Sequence, residues 1–216
     1  AKDFDDALSI EKNKDSYNIG IHIADVSHFF NSRTKLNEEA EKRATSVYLV
    51  DRTIPMLPER LSNNLCSLKP NEDRLTFSVI IKMDKNFKII DCWIGKSIIH
   101  SNKRFTYEEA QNSIDKKEGP FAEGLISLNE IAKSIRNKRF KNGAFNFGSN
   151  EVKFRLDENK KPIEVFKKER KDTHKMVEEY MLLANKLVAE RINKIEKKNH
   201  KKYTFVYRIH EDPDKE

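Results

Sequence analysis

Apolar and polar positions alternate at Tyr17, Ile19, Ile21 and Ile23, and again without interruption at Leu75, Phe77, Val79, Ile81 and Met83. A period of two places alternate side chains on one face of an extended chain, so both runs predict strands with one buried face. Lys12-Asn-Lys-Asp15 supplies a turn between residues 7–11 and 17–25, which read as a strand pair. The turn at Asp84-Lys-Asn-Phe87 returns the second run into Lys88–Gly95 and makes the clearest hairpin of the chain. A further strand pair is expected over Glu151–Leu156 and Ile163–Phe166, turning through Asp157–Lys160.

Between the strands the period lengthens. Ala40, Ala44, Val47 and Tyr48 recur at helical spacing behind Asn37, a residue type that caps helices, so a helix ending near Tyr48 is expected before the extended Pro55 and Pro58 loop. Thr106-Tyr-Glu-Glu109 has the capping-box form and puts Tyr107 at the first helical position. Leu125, Leu128, Ile131, Ala132 and Ile135 form a second stripe, followed by the basic stretch Arg136–Lys141 and Gly143 as a stop. The longest helix runs from about Asp172 to Lys198 on the stripe Val177, Tyr180, Ala184, Leu187, Val188, Ile192 and Ile195. The expected class is α+β, a mixed or antiparallel sheet packed with several helices.

Composition narrows the function classes less than the pattern narrows the fold. The 216 residues suffice for one sizeable core or two small ones, and with 6 Gly and 6 Pro nothing reads as a linker. A net charge of +7 with 36% charged residues suits a polyanionic partner, with the stretch Arg136–Lys141 expected to meet phosphates, although a lysine-rich solubilising surface has the same composition. No run of 18 apolar residues offers a membrane span, and the basic-then-apolar design of an export signal is missing, so a cytoplasmic address is the default. Cys66 and Cys92 lack the spacing of a zinc site and read as small core residues. His22, Asp25 and His28 do not form a metal triad, because residues on a strand so spaced need not share a face; His22 reads as a hydrogen-bonded packing residue. Neither a nucleophile elbow nor a glycine-rich phosphate loop is present.

The chemistry-bearing feature is Lys2-Asp3-Phe4-Asp5-Asp6-Ala7, three carboxylates in four positions. Such hard oxygen ligands suit Mg²⁺ or Mn²⁺, and crowded carboxylates repel one another unless a cation neutralises them. Acidic triplets also occur as solvated turns or helix caps. From the residues alone, the reading reaches a metal and a polyanion.

Longer blocks carry a resemblance. Gly20-Ile-His-Ile-Ala-Asp-Val-Ser-His-Phe29, Arg43–Asp51, Ile54–Glu72, Thr106–Ala110, Gly143–Phe147, Met176–Asn185 and Tyr207–Pro213 stand in the order and spacing of the catalytic domain of the RNase II/RNase R family of exoribonucleases. The resemblance covers the whole chain and implies that residues 1–216 are part of an RNB-type catalytic domain, without the flanking oligonucleotide-binding barrels. It implies a Mg²⁺-dependent hydrolase that shortens single-stranded RNA from the 3′ end and releases nucleoside 5′-monophosphates. Asp3, Asp5 and Asp6 match the family's metal-binding catalytic aspartates, Tyr48 and Phe147 the aromatics that clamp terminal nucleotides, and Tyr107 and Glu178 the groups near the 2′-hydroxyl. An additional upstream Asp and a C-terminal catalytic Arg of the family fall outside this sequence, so the chain is expected to be a weak or inactive nuclease by itself. A non-catalytic RNA-binding module of the same fold is the alternative, and a phosphatase or DNA-directed nuclease with the same acidic site a third.

Overall fold

A computed structural model of the chain describes residues 3–145, 152–159, 161–167 and 169–208. In chain order the named elements are β1 (Asp6–Lys12), β2 (Ser16–Ala24), α1 (Lys35–Arg43), β3 (Val47–Tyr48), β4 (Thr53–Ile54), β5 (Asp73–Asp84), β6 (Ile89–His100), α2 (Tyr107–Lys116), α3 (Ala122–Lys141), β7 (Val152–Leu156), β8 (Pro162–Lys167) and α4 (Asp172–Asn199). The α+β class is as the periodicities predict. Four strands form an antiparallel sheet in the order β1-β2-β5-β6, and β3-β4 and β7-β8 are separate two-stranded pairs.

Register explains the core. Ile10, Ile19, Ile81 and Cys92 lie in one row across the sheet and Leu8, Ile21, Val79 and Ile94 in the next. Paired residues share a face, so these rows present a continuous apolar surface. Leu128, Ile131 and Ala132 of α3 and Met176, Tyr180 and Ala184 of α4 pack against it. Burial of each large side chain there contributes about 1.5–3 kcal/mol. The Tyr180 hydroxyl satisfies itself by donating to the Leu128 carbonyl at 3.0 Å, and its burial pushes the phenol's pKa up.

Two expectations change. Phe77 is 41% exposed although it continues the alternation, while Thr76 and Ser78 on the opposite face are fully buried. The cause is a polar network rather than an apolar layer. His22 Nε2 meets Ser9 Oγ at 2.9 Å and His22 Nδ1 meets Ser78 Oγ at 2.7 Å, while the Ser97 hydroxyl lies 2.6 Å from Ser78 Oγ and 2.8 Å from Thr76 Oγ1. Hydroxyls rotate to donate or accept, so they can satisfy a neutral imidazole on both nitrogens. Burial pushes the His22 pKa down, which keeps the ring neutral. Gly20 makes room for it: a Cβ there would stand 2.3 Å from Ser9 Oγ and 2.4 Å from His22 Nε2.

The second change is at α1. Its cap is Thr34, whose side chain accepts from the Asn37 N–H at 3.2 Å, and Asn37 lies inside the first turn. Ala44 adopts a left-handed conformation, φ 60°, and stops the helix, so Val47 and Tyr48 leave it as β3 and pair with Ile54 and Thr53. The capping box of Thr106 and Glu109, with Tyr107 opening α2, and the extent of α4 match the sequence reading. Among the described residues no helix is long and apolar enough to cross a membrane.

Candidate functional site

The acidic run enters β1 under firm backbone control. Phe4 N–H donates to Ser67 Oγ at 3.1 Å, the Leu68 N–H donates to the Phe4 carbonyl at 2.8 Å, and the Ala24 N–H donates to the Asp5 carbonyl at 3.0 Å. Phe4 packs in a small second core with Ala24, Cys66 and Leu68, and the Arg104 guanidinium lies 5.1 Å above its ring. The aromatic at the middle of the run therefore anchors it, leaving the carboxylates at the surface.

Asp5 and Asp6 keep solvent access, yet the packing around them strips enough water to raise both pKa values. Burial is the first cause for each; Asp3 adds to it at Asp5, and Asp5 adds to it at Asp6. The three charges thus form a repelling chain. Among the described residues no three or more His, Cys, Asp or Glu side chains are gathered as a ready ligand set. The donor chemistry fits a hard divalent cation, since desolvation and mutual repulsion are both relieved by one.

Asp25, close by, is a buried carboxylate with a different fate. Ser27 Oγ donates to it at 2.6 Å and Lys96 Nζ at 2.9 Å, and these bonds, Ser27's first, hold its pKa below the usual carboxylate range. With both oxygens engaged it is a paired anion. Cys66 is buried, and its thiol is pushed up by that burial and then by the charges of Asp5 and Asp25.

A second group of sequence-predicted residues meets at the start of α4. Tyr107 is 43% exposed, and its ring stacks on His174 with centroids 3.9 Å apart and planes within 15°. Its carbonyl accepts from Thr173 Oγ1 at 3.1 Å, while the Thr173 N–H donates to Gln111 Oε1 at 3.2 Å. Glu178 stands one turn beyond His174 on the same helix face, ion-paired with Arg170. Tyr107, far from Glu178 in sequence, thus rests on the helix face that carries Glu178, through a residue that the sequence reading missed. The four-residue spacing of His174 and Glu178 on a predicted helix was the available signal.

Glu179, the neighbour of Glu178, has the opposite role. It is 1% exposed and receives Arg136 Nη1 at 3.2 Å, Arg139 Nε at 3.1 Å and Arg139 Nη2 at 2.6 Å. Lys138 Nζ donates to the Phe87 carbonyl at 3.4 Å. The basic stretch expected to meet phosphates is therefore largely committed to holding α3 against α4 and the turn between β5 and β6. Tyr48 is 70% exposed on the β3-β4 hairpin beside exposed Val47, Leu49, Val50 and Ile54. Phe147 lies outside the described residues.

Residues 1–216 match the RNB domain along their whole length. The chain belongs to the RNB family. It is 42% identical to ribonuclease R of Thermotoga maritima over 100% of this chain and 31% of that protein, and 44% identical to the human exosome complex exonuclease RRP44 over 88% of this chain and 20% of that protein. The chain therefore spans under a third of the length of these relatives. Mycoplasma genitalium RNase R, solved in complex with ribose-methylated single-stranded RNA, superposes with a TM-score of 0.84 at 27% identity, covering 91% of this chain and 31% of that one. Yeast Ssd1, described as a pseudonuclease, shares the fold with a TM-score of 0.69 at 21% identity, over 88% of this chain and 23% of that one. The RNB fold is thus common to nucleases and to a protein that is not one, and the side chains at the β1 entrance have to decide between them.

Proposed function

We propose that this RNB domain belongs to a Mg²⁺-dependent exoribonuclease that hydrolyses single-stranded RNA from the 3′ end and releases nucleoside 5′-monophosphates. The observation that carries the reading is the acidic run Asp3, Asp5 and Asp6, intact and crowded at the entrance to β1, in a chain whose relatives are ribonucleases. Asp5 and Asp6, with Asp3, would hold the cation; Mn²⁺ shares its preference for oxygen. Bound there, the ion supplies an activated water and offsets charge on the scissile phosphate. Tyr48, exposed on its hairpin, offers a ring face on which a base can stack irrespective of sequence, a contact worth about 1–3 kcal/mol. Tyr107 and Glu178 would offer a hydroxyl and a carboxylate to a ribose 2′-hydroxyl, which can both donate and accept.

A second reading is a non-catalytic RNA-binding module, since yeast Ssd1, described as a pseudonuclease, has the same fold. One experiment separates the two. In the full-length protein that carries this chain, Asp5→Asn and Asp6→Asn should each abolish shortening of a single-stranded RNA in Mg²⁺ while RNA binding persists. Turnover close to wild type in either variant would remove the cation from these aspartates, and no turnover in the wild type would favour the binding module.

A further inference from the structure

We propose that His174 is a positioning residue that fixes the Tyr107 ring for ribose recognition, and so sets how strongly RNA is preferred over DNA. The inference rests on the reading that Tyr107 and Glu178 face the sugar. Recognition of one hydroxyl by two side chains demands that both be held within a fraction of an ångström, and a tyrosine at a helix start has two free torsions. Here both ends of Tyr107 are constrained. Its backbone is tied to α4 through the Thr173 hydroxyl, and its ring lies flat on the His174 imidazole at 3.9 Å.

The stack is itself braced. Aromatic pairs left to themselves favour offset or edge-to-face arrangements with centroids about 4.5–7 Å apart, so near-parallel rings whose centroids lie only 3.9 Å apart, with little offset, point to a ring held from outside. The Lys171 N–H donates to His174 Nδ1 at 3.3 Å, which fixes the imidazole plane and places its ring proton on Nε2. Glu178 follows one turn later on the same face, and Arg170, just before the helix, holds its carboxylate. His174 therefore sets where the Tyr107 ring lies against the face of α4 that carries Glu178. Thr173 alone fixes only the backbone of Tyr107.

The test uses the full-length protein and two RNA oligomers of one sequence, one of them with 2′-deoxy sugars at its 3′-terminal nucleotides. The readout is the ratio of kcat/KM for the two, with Tyr107→Ala as the reference for a lost ribose contact. His174→Ala should lower that ratio about tenfold or more, because a misplaced hydrogen-bonding group forfeits discrimination of the analogue lacking the hydroxyl. His174→Phe keeps a ring for the stack and should recover most of the ratio, which a general loss of helix packing would not predict. Thermal melting of both variants confirms that folded protein is being compared. If Tyr107→Ala lowers the ratio and His174→Ala leaves it at the wild-type value, the positioning role is wrong while the ribose reading stands. If Tyr107→Ala itself leaves the ratio unchanged, the ribose reading fails and this inference fails with it.

Discussion

Asp5 and Asp6 hold their protons more tightly in the folded chain than ordinary carboxylates do, since burial and the neighbouring charges oppose ionisation. A raised carboxyl pKa contributes stability that is present below the ordinary carboxylate range and is lost as pH rises through the folded value. At neutral pH these ionised groups work against folding, and a dication should relieve them. Mg²⁺ is therefore expected to raise the melting temperature of the chain at neutral pH, with the gain shrinking on acidification into the carboxylate range and in Asp6→Asn. Asp6→Asn without metal should melt higher than wild type at neutral pH. Scanning fluorimetry across pH, with and without Mg²⁺, checks both, and a melting temperature indifferent to Mg²⁺ would remove the ion from Asp5 and Asp6. His22 has the opposite sign. Its folded pKa lies below that of a free imidazole, so its contribution is present above the ordinary imidazole range and is lost as pH falls through it. Unfolding free energy should decline on mild acidification, before the carboxylates titrate, and the decline should be flatter in His22→Asn.

Packing of α3 against α4 depends on a buried anion shared by two arginines, and the adjacent Glu178 supplies the control. Removing one partner of a buried ion pair leaves uncompensated charge, which costs about 3–5 kcal/mol, whereas an exposed pair contributes about 0–1 kcal/mol. Glu179→Ala should thus lower the unfolding free energy by about 3 kcal/mol in urea titrations, while Glu178→Ala stays within about 0.5 kcal/mol of wild type. Equal effects at the two positions would mean that the pair had been assigned to the wrong faces. The same helices illustrate what sequence alone can reveal. The capping box at Thr106 and the apolar stripe of α4 were legible because their causes are local, a hydrogen bond across three residues and a repeat of 3.6. The end of α1 was not, because the left-handed turn at Ala44 leaves no mark in its residue type and Val47 continues the helical spacing by coincidence. The exposure of Phe77 was not legible for a related reason: which side of β5 is covered depends on where α3 and α4 end and on the hydroxyls that surround His22. At the candidate site the aspartates and Tyr107 could be read as motifs, whereas His174 acquires its place only when α2 and α4 meet.

Over the whole molecule, the helices cover only part of the sheet face they share. Ile23, Phe77 and Ile98 project from that face at 39%, 41% and 66% exposure, the first two in one row with Asp6 and Lys96 and Ile98 in another row on that face. A contiguous apolar strip beside a candidate catalytic run is a surface that soluble chains seldom leave bare, and exposed patches of this kind mark contacts with other protein segments. The relatives in which this domain occurs are more than three times its length, so they contain additional chain of a kind that could lie over such a strip. Covering it would also exclude water from the carboxylates and strengthen every charge interaction there. The 216-residue chain alone is accordingly expected to bind a hydrophobic dye, to self-associate in gel filtration as concentration rises, and to shorten single-stranded RNA far more slowly than the full-length protein. Phe77→Ser together with Ile98→Ser should reduce dye binding and association of the isolated chain without unfolding it, as judged by circular dichroism. The same pair of substitutions should slow RNA shortening by the full-length protein, because there the strip would be an internal contact. An isolated chain that remains monomeric, ignores the dye and matches the full-length protein in rate would show that the strip is ordinary surface and that the catalytic machinery is complete within these residues.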